Sequence, residues 1–534
     1  MTQPAELIIT NARAITLDPA QPRAEAVAVG GGRIVFVGGA DDAASLRGPR
    51  TRLIDAAGRT LMPGIIDSHF HLRMGALKLD DIRLEGVDSY AALTMVVRAY
   101  AAAQPQKPWL VGYGLSYSVL PANTPLTRQH LDTIVADRPL VVLAFDLHTA
   151  WANTKALQLA NILQGGMCEP GNEIVIADDG TASGELREPG AFNRVLALMP
   201  KPSEAQSRTL LHKGLAQAAR YGITSIHNMD GDMEQMARYA ELEDRDELTL
   251  RISVPYSISP ATLPEDLAAA VAMRAAKTEL VRSRGVKFFM DGVIESCTAL
   301  MLNDYADSPG NCGAAIFSAE QFTLLATEAD RLGLQIAVHA IGDGAVRRTL
   351  DGFAHAQRIN GQRDARHRIE HIEVLHPDDL PRFNALGVIA SMQPLHAAIS
   401  TPGQLWAQRV GRERWGRSFP WQTLRESGAH LVFGSDWPVV TQNPFLGMHA
   451  ALSRQPWADD QPRQAQTLEA TLAAYTRDAA YAEFQEGVKG QLRAGMLADL
   501  ALLAGDIEST PAAALKDMTI ALTVCGGRIV YEGD

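Results

Sequence analysis

Between residues 64 and 435 the chain repeats one pattern, a short apolar run followed by a stretch whose apolar residues recur at helical spacing. That alternation builds strand–helix units around a parallel sheet, each strand buried on both faces and each helix packed back onto it. The runs fall at Gly64–His69, Gly222–Asn228, Leu248–Tyr256, Val286–Asp291, Leu334–His339, Arg368–His371, Gly387–Gln393 and His430–Ser435. Eight strands close a (β/α) barrel. The helix before the fifth run is predicted to begin with a capping box, Ser318-Ala319-Glu320-Gln321, and to continue through Phe322–Leu332.

The two ends of the chain resemble each other. Gly31-Gly32-Arg33-Ile34-Val35-Phe36-Val37-Gly38 and Gly526-Gly527-Arg528-Ile529-Val530-Tyr531-Glu532-Gly533 are each a glycine turn feeding a β-branched and aromatic strand. Two unrelated hairpins would read the same way. The favoured expectation is a single small β domain made of residues 1–62 and 486–534, with residues 63–485 inserted between them. The interval from Met74 to Arg220 is too long for one crossover helix, so residues 74–220 should form an inserted subdomain. It holds turn-rich segments, among them Glu169-Pro170-Gly171, and an apolar run, Pro139–Phe145. Leaving the C-terminal face of the barrel, it could cover the active site.

A formal net charge of -12 disfavours nucleic acid as a partner, which needs a cationic footprint, and points to a small-molecule substrate. Cys168, Cys297, Cys312 and Cys525 lack the paired spacing of a zinc knuckle or redox site and read as free thiols in a reducing compartment. The N-terminus has no basic segment followed by an apolar stretch, and no apolar run is long enough to span a bilayer. The expectation is a soluble, cytoplasmic protein without a membrane partner. Apolar stretches in the insertion could pair subunits into a homo-oligomer.

The chemistry gathers at the C-terminal ends of the proposed strands. His69 and His71 end the first; residues two apart on a strand share a face, so the two imidazoles converge on a point that could hold a metal ion. Lys287 lies on the fourth strand, His339 on the fifth, His371 on the sixth, and Asp436 just past the eighth. In a barrel those ends share one mouth. Each residue has a structural alternative. The histidines could be satisfied core residues, the Lys287 amine could reach solvent, and Asp436 could cap a turn. Lys287 fits least well, being early in its run.

The words Pro63-Gly64-Ile65-Ile66-Asp67-Ser68-His69-Phe70-His71, Val286-Lys287-Phe288-Phe289-Met290-Asp291-Gly292, His339-Ala340-Ile341-Gly342-Asp343, Arg368-Ile369-Glu370-His371 and Gly434-Ser435-Asp436 resemble the amidohydrolase superfamily. Specifically, they are similar to its third family, the YtcJ-like branch that includes N-substituted formamide deformylases. Further matches are Asp146-Leu147-His148-Thr149-Ala150-Trp151-Ala152-Asn153 and the stretch Lys489–Leu500. The resemblance implies a distorted (β/α)8 TIM barrel beside a composite β-sandwich. It also implies a metal site in which His69, His71 and Asp436 hold one divalent ion and His339 and His371 a second, with zinc suiting the donors best and manganese or iron as alternatives. Lys287, carboxylated by carbon dioxide, would bridge them. One departure from the family's pattern is Glu295 and Cys297, where relatives more often carry small residues and an arginine.

The implied reaction is hydrolysis of an amide-type carbon–nitrogen bond, such as that of an N-formyl or N-acyl amine, by a metal-activated hydroxide. Asp436 would be general base and then general acid. His148, Trp151, Asn153, Glu295, His396 and Trp437 are candidate substrate contacts, of which His396, at the exit of the seventh strand, sits best. Packing roles compete for the others. Rival readings are action on an ester, lactone or cyclic carbon–nitrogen bond at the same site, and a non-catalytic binding protein. The last predicts lost ligands, and the full set is present.

Overall fold

A computed structural model describes residues 4–121, 124–145, 148–169 and 171–533. Asp146, Leu147 and Pro170, named above, lie outside the described residues. The chain divides into two compact units, one comprising Met1–Leu72, His212–Asp291 and Ala299–Asp534, the other Arg73–Leu211 and Gly292–Thr298.

In the first unit eight parallel strand positions follow the order of the sequence. They are Ile65–Phe70, Ile223–Asn228, Arg251–Ser253 with Tyr256–Ser257, Gly285–Phe289, Gln335–Ala340, Arg368–His371, Ile389–Met392 and His430–Phe433. A parallel bridge between Phe70 and Trp437 links the first strand to the segment leaving the eighth. The third position is broken where a continuous run was expected. Arg251–Ser253 pairs with the second strand, Tyr256–Ser257 pairs with the fourth, and Pro255 between them has no N–H to give the ladder. This break is the barrel's distortion. Gly285 opens the fourth strand because a Cβ there would lie 1.7 Å from the Gln335 carbonyl oxygen. Ser318 does cap the helix Ala319–Arg331, accepting from the Gln321 N–H at 3.1 Å while Gln321 reaches back to the Ser318 N–H at 3.2 Å.

Both chain ends build the two remaining sheets of this unit. One has the order Arg33–Gly38, Ala26–Gly30, Ala5–Thr10, Arg47–Asp55. The other runs Arg528–Glu532, Ile520–Cys525, Leu500–Leu503, Thr60–Pro63, Arg13–Ile15, Arg23–Ala24, so its centre pairs the two ends of the chain antiparallel. Leu7, Ile9, Val27 and Val29 share one core with Leu500, Leu502, Leu522 and Val524. The matching glycine words make matching turns: Gly31, Gly32, Gly526 and Gly527 all have positive φ, between 58° and 79°, as a two-residue hairpin loop requires. The Lys489–Leu500 stretch ties these sheets to the barrel. Lys489 pairs with Glu483 and reaches Ser225 on the second strand, while Asp499 forks onto Arg251 of the third at 2.8 and 3.2 Å.

The second unit is a six-stranded mixed sheet in the order Glu173–Ile176, Ala182–Arg187, Thr149–Ala152, Leu140–Ala144, Leu110–Leu115, Ile82–Arg83. Its edge with the barrel chain falls at Leu211, inside the helix Glu204–Arg220, where the sequence pointed to Arg220. It also takes in the segment 292–298, which the sequence offered no reason to group with it. Among the described residues no helix is long and apolar enough to cross a membrane, and Cys168, Cys297, Cys312 and Cys525 form no disulfide with one another.

Candidate metal centre

Period-two alternation aims one face of each strand into the barrel. On the first strand that face carries Asp67 and His69, with His71 following. On the fourth it carries Lys287 and Phe289, Phe289 standing opposite His339 of the fifth. The fourth strand ends at Phe289, sooner than expected, so Lys287 stands two residues from the rim.

His371 breaks the alternation. Arg368 and Glu370 share the inner face, which would turn His371 away, but its φ of 76° ends the strand and swings the imidazole to the rim. Asp436 has φ 64° and is anchored by its N–H on the His69 carbonyl at 2.7 Å. Left-handed backbone costs about 1–2 kcal/mol per residue, and two proposed ligands carry it. Gly434 is required beneath them, since a Cβ there would meet the His69 backbone nitrogen at 2.4 Å.

All six proposed ligands are buried. Asp436 Oδ1 lies 3.4 Å from His69 Nε2 and 3.2 Å from His71 Nε2, and the donor atoms of these three residues are within 4.8 Å of one another. On its other side, Oδ2 lies 3.9 Å from His371 Nδ1 and 3.6 Å from His396 Nε2. The His371 ring is 4.7 Å from that of His69 and 4.5 Å from that of His339. Lys287 Nζ stands 4.8 Å from the centre of the Phe289 ring.

Behind the imidazoles lies a layer of acceptors that the motif reading passed over. Glu370 Oε2 is 2.7 Å from His69 Nδ1, Asp230 Oδ1 is 2.6 Å from His71 Nδ1, and Gln393 Oε1 is 2.9 Å from His371 Nδ1. Such partners fix the tautomer and orientation of a ligating ring. Glu370 is held by Arg368, which also reaches His227, the Ser68 carbonyl and Ser391 inside the barrel. Alternation signalled this pair, because residues 368 and 370 had to face inward together.

Electrostatics suit a cation. Burial pushes His69 down to about 4 and His371 well below the usual imidazole range, leaving neutral rings able to ligate. Burial works against a charged His71 too, but Asp230 and Asp436 outweigh it and raise the ring to about 9, so this corner attracts positive charge. Burial opposes the charge on Asp436, yet His69 and His71 hold its carboxyl well below the ordinary value. Burial brings the Lys287 amine down to about 8. Its nitrogen has no hydrogen-bond partner among the described residues, an orphan that a shared ligand would explain. Imidazole and carboxylate donors of this kind fit a zinc-like dication.

The remaining candidates divide. Trp437 is buried against Phe70 with ring centres 5.0 Å apart, at the point where the first and eighth strands meet. Trp151 belongs to the second unit's hydrophobic core, packed on Tyr117, the packing role weighed against a substrate contact. Asn153 has a packing role of the same kind. It is fully buried; its Oδ1 accepts from the N–H groups of Leu140 and Ala156, and its Nδ2 donates to the carbonyls of Val135 and Arg138. His148 Nδ1 lies 2.7 Å from Glu188, whose other oxygen accepts from Ser296 at 2.9 Å, within the same unit as Glu295 and Cys297. Glu295 and Cys297 are both partly exposed.

A parallel barrel with buried imidazoles and a carboxylate at its C-terminal rim defines the class, a metal-dependent barrel enzyme. The chain belongs to the amidohydrolase family, whose sequence profile matches residues 52–531. It is 29% identical to the protein LONG AFTER FAR-RED 3 of Arabidopsis thaliana over 93% of this chain and 87% of that one. It is 26% identical to the N-substituted formamide deformylase of Arthrobacter pascens, over 100% of this chain and 99% of that one. The crystal structure of an uncharacterized metal-dependent hydrolase from Pyrococcus horikoshii has the same fold, with a TM-score of 0.75 and 23% identity over 95% of this chain and 99% of that one.

Proposed function

We propose that the protein is a metal-dependent hydrolase that cleaves an amide-type carbon–nitrogen bond in a small molecule, with N-formyl and N-acyl amines as the substrate class. The observation that carries this reading is the buried convergence of His69, His71 and Asp436, with donor atoms within 4.8 Å. End-to-end similarity to a formamide deformylase supports the bond type. The net charge of -12 supports a small molecule over a polyanion, and four cysteines without a disulfide suit a reducing cytoplasm.

His69, His71 and Asp436 would hold one divalent ion, with zinc fitting the donor set, and Lys287, His339 and His371 a second. Such an ion supplies Lewis acidity and a hydroxide nucleophile at neutral pH. Asp436, kept ionised by the imidazoles beside it, accepts the proton released on attack and delivers it to the departing nitrogen. Lys287, lowered to about 8, offers a neutral amine fraction. That nitrogen adds to carbon dioxide, forming an N–C bond as one C–O π bond opens and one proton leaves, and the carbamate presents two oxygens sharing one negative charge where an ammonium would be repelled. The test is a panel of N-formyl and N-acyl amines, with ester and lactone controls, on zinc-loaded protein. Asp436→Asn is expected to keep most of its metal and lose about 10²–10⁴-fold in turnover. Near-normal turnover in that variant, or cleavage of esters alone, would refute the reading.

A further inference from the structure

We infer that His396 is a metal ligand that, with His371 and Asp436 Oδ2, completes the site of the second divalent cation proposed above for Lys287, His339 and His371; the inference rests on the metal-dependent reading above. His396 lies in the helix Pro394–Ile399 that follows the seventh strand, and only 8% of it is exposed. Its Nε2 has no hydrogen-bond partner among the described residues, yet it points at Asp436 Oδ2 from 3.6 Å. The two atoms face each other across that gap without a hydrogen bond between them, which leaves room for a cation that both could ligate. The spacing suits an ion, because two donors bonded tetrahedrally at about 2.1 Å stand roughly 3.4 Å apart.

His396 is also mounted like the two ligands across the site. His69 and His71 each place Nδ1 against a carboxylate, at 2.7 and 2.6 Å, and aim Nε2 at Asp436 Oδ1 from 3.4 and 3.2 Å. His396 places Nδ1 3.6 Å from Glu373 Oε1 and aims Nε2 at Oδ2. Glu373 is itself anchored, its Oε2 accepting the Trp406 indole N–H at 2.6 Å and its carbonyl the Phe419 N–H at 2.9 Å. At 3.6 Å this carboxylate makes no hydrogen bond to the ring, but its charge favours the tautomer protonated at Nδ1, which leaves the Nε2 lone pair for a cation. His371 completes the set: its ring lies 5.8 Å from that of His396, and the donor atoms of His371, His396 and Asp436 fall within 4.8 Å of one another. The family resemblance gave the second ion only His339, His371 and Lys287. Ligation at Oδ2 uses one of its two lone pairs, so the proton step assigned to Asp436 keeps the other.

The test titrates chelator-stripped full-length protein with Co2+, following the visible absorption bands and the number of ions bound. The wild type is expected to bind two ions, and His396→Ala one, with the affinity of the retained step unchanged. Glu373→Gln, which keeps the ring, is expected to weaken the lost step by about 10–100-fold, and it carries the test should His396→Ala fail to fold. Two ions held at wild-type affinity by both variants overturn the assignment. So does a wild type that binds a single ion indifferent to His396, an outcome that leaves the metal-dependent reading standing. A wild type that binds no ion overturns both.

Discussion

Glu370→Gln removes one charge from an enclosed triad while leaving the volume unchanged. In the native protein Glu370 accepts from Arg368 Nε at 2.5 Å and Nη2 at 3.1 Å and faces His69 Nδ1 at 2.7 Å. An amide that turns its oxygen to His69 sets its NH2 against the guanidinium. Turned the other way, it sets NH2 against Nδ1 and drives the imidazole to the tautomer that cannot ligate through Nε2. The first orientation leaves donor against donor, and the second costs the ligating tautomer and sets the amide NH2 against Arg368 Nη2, in a place where water cannot repair it. Loss of such a partner costs about 10–100-fold in metal affinity, or about 1.4–2.8 kcal/mol. Stripping the buried Arg368 of its carboxylate costs a further ~3–5 kcal/mol of folding stability. Chelator competition measures the first quantity and urea unfolding of the apo-protein the second. Adding Arg368→Met should restore stability without restoring affinity. A folded Glu370→Gln protein that holds metal within twofold of wild type would refute the reasoning.

Lys287→Ala should lower metal content and activity, and short carboxylic acids such as acetate should restore part of the activity; full metal content without them would count against the carbamate. Asn153→Ala should cost about 3 kcal/mol or more, from a lost helix cap and unpaired buried backbone groups, while metal uptake stays at the wild-type level in the same preparation. Burial opposes the charge of Asp330, but His367, Asn360 and Arg363 outweigh it and bring the carboxyl down to about 2. Its native value thus lies below the unfolded one, so its stabilisation is complete above ~3.9 and drains away as pH falls toward the native value. Asp330→Asn should flatten that acid limb in a series of unfolding curves, and an unchanged limb would show the carboxylate to be idle.

Strand positions were legible because burial on two faces writes continuous apolar runs, and all eight lie where those runs fall. The break at Pro255 was written in the sequence too, as a residue without an N–H, but it was hidden inside an apolar stretch. The candidate ligands, all six buried, were legible by type and by their place at strand ends. The left-handed turns at His371 and Asp436 were not, because no glycine marks them and the cost is met by tertiary hydrogen bonds. For Trp151 and Asn153 the structure supplies the packing roles that competed with a substrate contact. A motif names residues without saying whether their atoms are already spoken for, and the four bonds of Asn153 leave it nothing to offer a ligand.

The sheet that joins Thr60–Pro63 to Leu500–Leu503 sets a timetable for the newborn protein. The early strand leaves the ribosome, and its partner follows more than four hundred residues later, a wait of roughly half a minute at typical elongation rates. During that interval a naked β-edge is open to any passing strand, directly upstream of the first histidine-bearing segment. Folding helpers that shield such edges should therefore govern yield in a heterologous host, and clipping a few residues from the tail should be as damaging as clipping the head.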